Sequence, residues 1–140
     1  MDLDFDLDRF VAAQDPVYAD VLAELKAGHK RSHWMWFIFP QVAGLGRSEM
    51  SQKYAIRSAD EAAAYLAHPV LGARLRECAG LVAAIDDKRI DEIFDPPDDL
   101  KFQSCMTLFA DVAPDEAVFQ TCLDQFFDGR ADPATMDFLT

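Results

Sequence analysis

Two stretches of this sequence carry side chains that could hold an anion or move a proton. The first runs His29-Lys-Arg-Ser-His-Trp-Met-Trp-Phe-Ile-Phe-Pro-Gln41 and continues through Gly44, Gly46, Arg47 and Ser48. The second is the run Asp98-Asp-Leu-Lys-Phe-Gln-Ser-Cys-Met-Thr107. Ammonium and guanidinium groups bind phosphate or carboxylate through charge-assisted hydrogen bonds. Backbone N–H groups of a glycine loop can point at the same anion, and an aromatic face can stack a ring beside it. That chemistry makes Lys30, His33, Trp34, Gln41, Arg47, Ser48 and Thr107 the candidate ligand-binding residues. In the second stretch Asp99, or its neighbour Asp98, has the chemistry of a general base and Lys101 that of an anion clamp. Ser104 shares the helical face of Lys101 by the three-and-four rule. Asp99, Lys101 and Ser104 are therefore the candidate catalytic set.

Each of these residues also has a plainer account. Gly44 and Gly46 suit a tight turn, and an aspartate ahead of a helix caps it. His33 beside Trp34 suits a hydrogen-bonded core position, and His68 before Pro69 a helix boundary. The loop Gly44-Leu-Gly-Arg-Ser48 is not GxGxxG after a strand and lacks the Lys-Ser/Thr ending of a P-loop, so neither named nucleotide motif applies. His29, His33 and His68 form no recognised ligand spacing, and no metal or cofactor is expected. Cys78, Cys105 and Cys122 are odd in number, far apart and set in apolar helical patterns; they read as buried free thiols. The catalytic reading requires residues 30–48 and 98–107 to meet in space.

The elements that would position these residues are helices. Leu7, Phe10 and Val11 suggest a short helix ending near Gln14. Asp15 and Pro16 read as cap and first residue of a second, with Val21, Leu22 and Leu25 on its apolar side and Gly28 at its stop. Ser58 and Glu61 make a capping box. Pro69 opens a helix whose stripe of Leu71, Leu75, Cys78, Leu81, Val82 and Ile85 predicts the central strut. Ile90, Ile93 and Phe94 mark a short helix, Pro96 and Pro97 a turn, and Phe102, Cys105, Met106 and Phe109 another helix. Val118 through Phe127 repeats the pattern up to Gly129, and Asp132-Pro133 starts a last short one. No period-2 alternation or hairpin signal is present. The expected fold is all-α, a single compact orthogonal helical domain over residues 1–140, of about six to eight helices, with a buried aromatic segment at 34–39. Periodicity does not decide whether that segment is strand or helix.

At 140 residues, with half of them hydrophobic and eleven Phe, the chain is long and apolar enough for one core. Its net charge of −12 argues against sequence-independent nucleic-acid binding, which depends on Lys and Arg neutralising phosphates. The charge is uneven. Residues 26–57 hold Lys26, Lys30, Arg31, Arg47, Lys53 and Arg57 against the single acid Glu49, a local +5 that leaves −17 elsewhere. The acidic opening MDLDFDLDRF lacks a signal peptide's basic lead and apolar stretch, and the apolar run 34–39 is too short to span a bilayer. A cytoplasmic protein that does not enter membranes is expected.

Ala13-Gln14, Tyr18, GHKRSHWMWFIFPQVAGLGRS at 28–48, EAAAYLAHPVLGARLREC at 61–78 and DDLKFQSCMTLF at 98–109 together resemble the DUF1810 family of small bacterial proteins, over nearly the whole chain. The resemblance implies a mainly α-helical fold and, the family being uncharacterised, no mechanism. Asp95 stands where Gly is expected and Cys105 where Ser is expected, so any role needing a serine at 105 does not carry over. Lys101, Ser104, Met106 and Thr107 stand as expected. The calpastatin label borne by some relatives does not suit, since such inhibitors work through disordered repeats. In layout, without a motif match, the chain is also similar to NADAR domains, which process ADP-ribose derivatives. The functional expectation is a small-molecule-binding protein or enzyme acting on an anionic metabolite, nucleotide-like or phosphorylated, with ADP-ribose derivatives among the ligands considered. The alternative is a non-enzymatic interaction module using the basic 26–57 stripe. Oligomeric state is not legible.

Overall fold

A computed structural model describes residues 5–140; the first four residues of the acidic opening lie outside the described residues. Ten helices follow one another, with no strand among the described residues. The short leading helix α1 is Asp8–Gln14, and α2 is Tyr18–Ala27. The second helix thus starts later than Asp15-Pro16 predicts. Asp15 continues the α1 turn, its N–H bonded to Val11 O, and its carboxylate pairs with Arg74 at 2.9 Å rather than capping α2. Gly28 ends α2 in the left-handed conformation, φ 83°, the region glycine enters without steric cost.

The aromatic segment resolves into a single helical turn, α3 (Met35–Ile38), and α4 (Glu49–Lys53) is another short piece. Then come α5 (Ala59–Ala67), α6 (Leu71–Ala83), α7 (Ile90–Ile93), α8 (Asp98–Val112), α9 (Ala117–Phe127) and α10 (Pro133–Leu139). The count exceeds six to eight because one-turn helices are shorter than the window in which a 3.6-residue period shows. Caps match where local chemistry settles them. Ser58 accepts from Glu61 N, and Asp132 accepts from Thr135 N ahead of Pro133. His68 ends α5, and its Nδ1 accepts from Val70 N and Leu71 N at the start of α6.

One hydrophobic core runs through these helices. α6 buries one face, Leu71, Leu75, Cys78, Ala79 and Val82. The more enclosed strut is α8, which packs against α5, α7, α9 and α10 and buries every residue from Phe102 to Phe109 except Gln103. Sequence periodicity favours α6 because a stripe stands out only where the opposite face is polar. Within 34–39 every side chain is buried except Trp36, which is half-buried. Phe39, Phe94 and Phe102 meet edge-on and tilted at centroid distances of 5.0–5.8 Å, the geometry aromatic quadrupoles favour. This junction holds the end of α3 against the start of α8, and so joins the two stretches of chemical interest. Among the described residues no helix is long and apolar enough to cross a membrane.

Candidate functional site

The site is built outward from Glu24, on the last turn of α2. Its carboxylate accepts from Arg31 N (2.7 Å), Ser32 N (2.9 Å), Ser32 Oγ (2.6 Å) and the Trp34 indole N–H (3.0 Å). Burial raises its pKa, but these four donors, the Ser32 hydroxyl foremost, outweigh that and bring it down to about 2. A folded-state pKa below the unfolded one gives stability that is present above the ordinary carboxylate range and lost as pH falls towards about 2. Solvent reaches part of this carboxylate, so about 1–2 kcal/mol is expected rather than the full shift. Denaturant titrations should show wild type more stable than Glu24→Gln at neutral pH, with the gap closing below about pH 4. A gap that did not change with pH would remove the charge from this account.

With the 29–34 turn so fixed, Lys30 points inward. Its side chain is 10% exposed, its Nζ lies 2.9 Å from Asp98 Oδ2, and it stands 5.3 Å above the Trp34 ring. The other oxygen, Asp98 Oδ1, is 3.5 Å from Lys101 Nζ, which in turn stands 5.4 Å above Trp36. Two ammonium groups thus flank one carboxylate, each over a tryptophan face, an arrangement worth about 0.5–1 kcal/mol per cation–π contact at partly exposed sites. The local charge is +1.

Lys101 also forms the edge of two spaces that share wall residues. The first is a small pocket of about 20 Å³ lined by Met35, Trp36, Phe39, Gln41, Val42, Gly46, Ser51, Tyr54 and Lys101. The second is an open groove of about 280 Å³ that adds Leu45, Pro97, Leu100, Ser104, Asp132 and Ala134 to Gln41, Gly46 and Lys101. The pocket wall is an excursion of the chain closed at its base by Ala43 N to Ile56 O and Ile56 N to Gln41 O, both 2.8 Å. Its glycines serve different ends. Gly44 takes φ 94° with open space around it, whereas a Cβ on Gly46 would come within 2.5 Å of the Ser51 side chain. A tight turn explains Gly44; close approach to Ser51 explains Gly46.

The two stretches therefore meet: Lys30 touches Asp98, and Gln41 and Gly46 share a wall with Lys101 and Ser104. Other candidates lie elsewhere. Trp34 is 1% exposed with its indole N–H bound to Glu24, so its face is closed to a ligand, and Trp36 is the tryptophan that lines the pocket. His33 and Arg47 are exposed and line neither space; the hydroxyl of Ser48 caps α4 through Ser51 N. Asp99 accepts from its own neighbour Leu100 N and lines a separate cleft with Lys88 and Arg89. Ser104 Oγ lies 3.1 Å from both Leu100 O and Asp132 Oδ2, and Thr107 Oγ1 accepts from Asp132 N at 2.8 Å. Both hydroxyls clip the start of α10 to α8. Cys105 is fully buried and its thiol is pushed well above the ordinary range; burial also raises Cys78 and Cys122 to about 12, so none supplies a ready thiolate.

Sequence reasoning missed Trp36, Ser51, Tyr54 and Asp132 as site residues. The alternation of Trp34 and Trp36 about Met35 contains no signal for which ring faces out. Asp132 reads in sequence as a cap, and only the fold turns it to the groove.

A family model, the protein of unknown function DUF1810, matches residues 4–139. The fold is similar to that in the crystal structure of the conserved hypothetical protein Rv1873 from Mycobacterium tuberculosis, with 52% identity, TM-score 0.95 and 96% of each chain covered. No curated protein matches the sequence.

Proposed function

The chain belongs to the DUF1810 family, which brings no activity with it, and from the geometry we propose that the protein binds a small anionic metabolite at Lys101, with the body of the ligand in the adjoining groove. One observation supports this reading above the others: Gln41, Gly46 and Lys101 are common to the pocket and the groove, so a cation stands at the join of an aromatic pocket and an open channel. The groove offers Leu45, Pro97 and Leu100 to a ring or chain, and Asp132 to a hydroxyl or amine donor. Phosphorylated and nucleotide-like molecules, ADP-ribose derivatives among them, combine such parts with an anion. For any bond-breaking role Asp132 is the carboxylate within the groove. A cytoplasmic location suits such a ligand and three free thiols.

A thermal-shift screen of nucleotides, sugar phosphates and carboxylic acids tests the reading. A true ligand at a hundred times its Kd adds about 2.7 kcal/mol of stability, and Lys101→Met should weaken it at least about tenfold, or 1.4 kcal/mol. Binding unchanged in Lys101→Met would place the ligand elsewhere. A second reading, an interaction module, has in its favour that Lys26, Arg31, Arg47, Lys53 and Arg57 are all exposed. Silence in the screen together with a partner protein whose binding fades with salt would favour it.

A further inference from the structure

We infer that the anionic group taken by this site is a monocarboxylate, and that it binds by exchanging with Asp98 for Lys101. The inference rests on the anion-binding reading above and narrows it. Charge is the first argument. Lys30, Lys101 and Asp98 together carry +1, and Asp132 in the groove brings the sum to zero, so each added negative charge is opposed and a monoanion meets less repulsion than a phosphate monoester, near −2 at neutral pH. Size is the second. The pocket beside Trp36 has about 20 Å³, room for about one water-sized group, so it takes a single head-group oxygen, which suits a flat carboxylate whose second oxygen stays on Lys101. The third argument is the inequality of the two ion pairs. Lys30 holds Asp98 at 2.9 Å, whereas Lys101 stands at 3.5 Å and is more exposed. Asp98 thus occupies the place of a carboxylate between the two ammonium groups, firmly tied to one and loosely to the other. An incoming carboxylate takes over Lys101 while Lys30 keeps Asp98 from following.

This arrangement makes two substitutions act in opposite directions. Asp98→Asn removes the competitor and should tighten a carboxylate about 3–10-fold; Lys30→Met releases Asp98 onto Lys101 and should weaken it by a similar factor. Asp98→Ser, also neutral and suited to a first helical turn, replaces the Asn variant if that unfolds.

Benzoate and phenyl phosphate, which share a ring and differ in head group, are titrated at constant ionic strength while tryptophan fluorescence is read. The chain has two tryptophans; Trp36 lines the pocket, and the part of the response that disappears in Trp36→Phe is its own. Expected are saturable benzoate binding, at least about tenfold weaker phenyl phosphate, loss of both in Lys101→Met, and the opposed shifts in Asp98→Asn and Lys30→Met. Phenyl phosphate binding as tightly as benzoate overturns the head-group inference and leaves the anion reading standing. Weakening in both Asp98→Asn and Lys30→Met overturns the exchange. If neither compound binds, the inference fails, and iodide quenching decides the reading beneath it. Iodide quenching that drops in Lys101→Met, at equal quenching by neutral acrylamide, keeps the anion site; no drop removes it.

Discussion

Gly72→Ala should cost about 3–5 kcal/mol, a large fraction of the roughly 5–15 kcal/mol by which a domain is stable. An ideal Cβ at position 72 would lie 2.0 Å from Leu66 O and 2.9 Å from Leu66 C. The nearby Arg76 guanidinium, at 2.8 Å, could swing aside. The carbonyl could not. Leu66 sits in α5 with its own side chain buried, and the two helices are joined by only three residues whose bonds are all committed: Gly72 N to His68 O at 2.9 Å, and Val70 N and Leu71 N to the His68 ring. Relief requires prising α5 from α6 and with it Tyr65 from Phe109, 5.6 Å apart across the core. Ordinary overpacking costs about 1–3 kcal/mol because side chains yield; here the obstacle is backbone. Gly80 in the same helix is the control, since nothing lies within 4 Å of its Cβ position. Gly80→Ala should stabilise by about 0.5–1 kcal/mol through helix propensity. Chemical denaturation of both variants reads the difference, and equal stabilities would mean the helices are not packed this closely.

Much of the fold was legible because local chemistry decides it. Ser58, Gly28 and Asp132-Pro133 punctuate helices through bonds and dihedrals formed within a turn, and the long stripes show through their period. What was not legible depends on partners far away in sequence. Asp15 has the chemistry of a cap and is drawn to Arg74; Glu61 has the chemistry of a reciprocal capping box, yet its carboxylate accepts from Arg57 N and Arg9. α3 and α4 are too short for any period to register. At the site, sequence marked the cationic and hydroxyl groups and the two stretches that meet, because charge in an apolar neighbourhood is conspicuous. It could not separate Trp34 from Trp36, since both are apolar and the deciding fact is the hydrogen bond from one indole to Glu24. Ser104 and Thr107 look available in sequence and are occupied in the fold, where a buried hydroxyl must find a partner.

Arg9→Ala should be nearly as damaging, at about 3–5 kcal/mol, and should act on the site from a distance. All five guanidinium N–H groups are used: on Phe5 O (2.6 Å), Asp6 O (2.8 Å), Lys53 O (2.7 Å), Ala55 O (2.9 Å) and Glu61 Oε2 (3.1 Å). The side chains of Arg9 and Glu61 are 9% and 2% exposed, so truncation strands a carboxylate in the interior with Arg57 N as its remaining donor. The carbonyls of Lys53 and Ala55 flank Tyr54, which lines the pocket, and lie just ahead of Ile56, whose N–H and C=O close the base of the 41–56 excursion. Adding Glu61→Gln separates two sources of the cost. If the buried charge dominates, the double variant should recover about half the lost stability, because removing both partners of a buried pair costs less than removing one. If the carbonyl bonds dominate, stability should stay low and the pocket wall should loosen, which acrylamide reads as greater quenching of Trp36. Arg9→Lys discriminates further. A lysine retains the charge opposite Glu61 but cannot span five acceptors with a planar fork, so it should rescue the first cost and not the second. Full stability in Arg9→Ala would leave the 53–56 segment held by the Phe10 and Phe37 rings against Tyr54, at 5.7 and 5.4 Å, and would confine Arg9 to the surface.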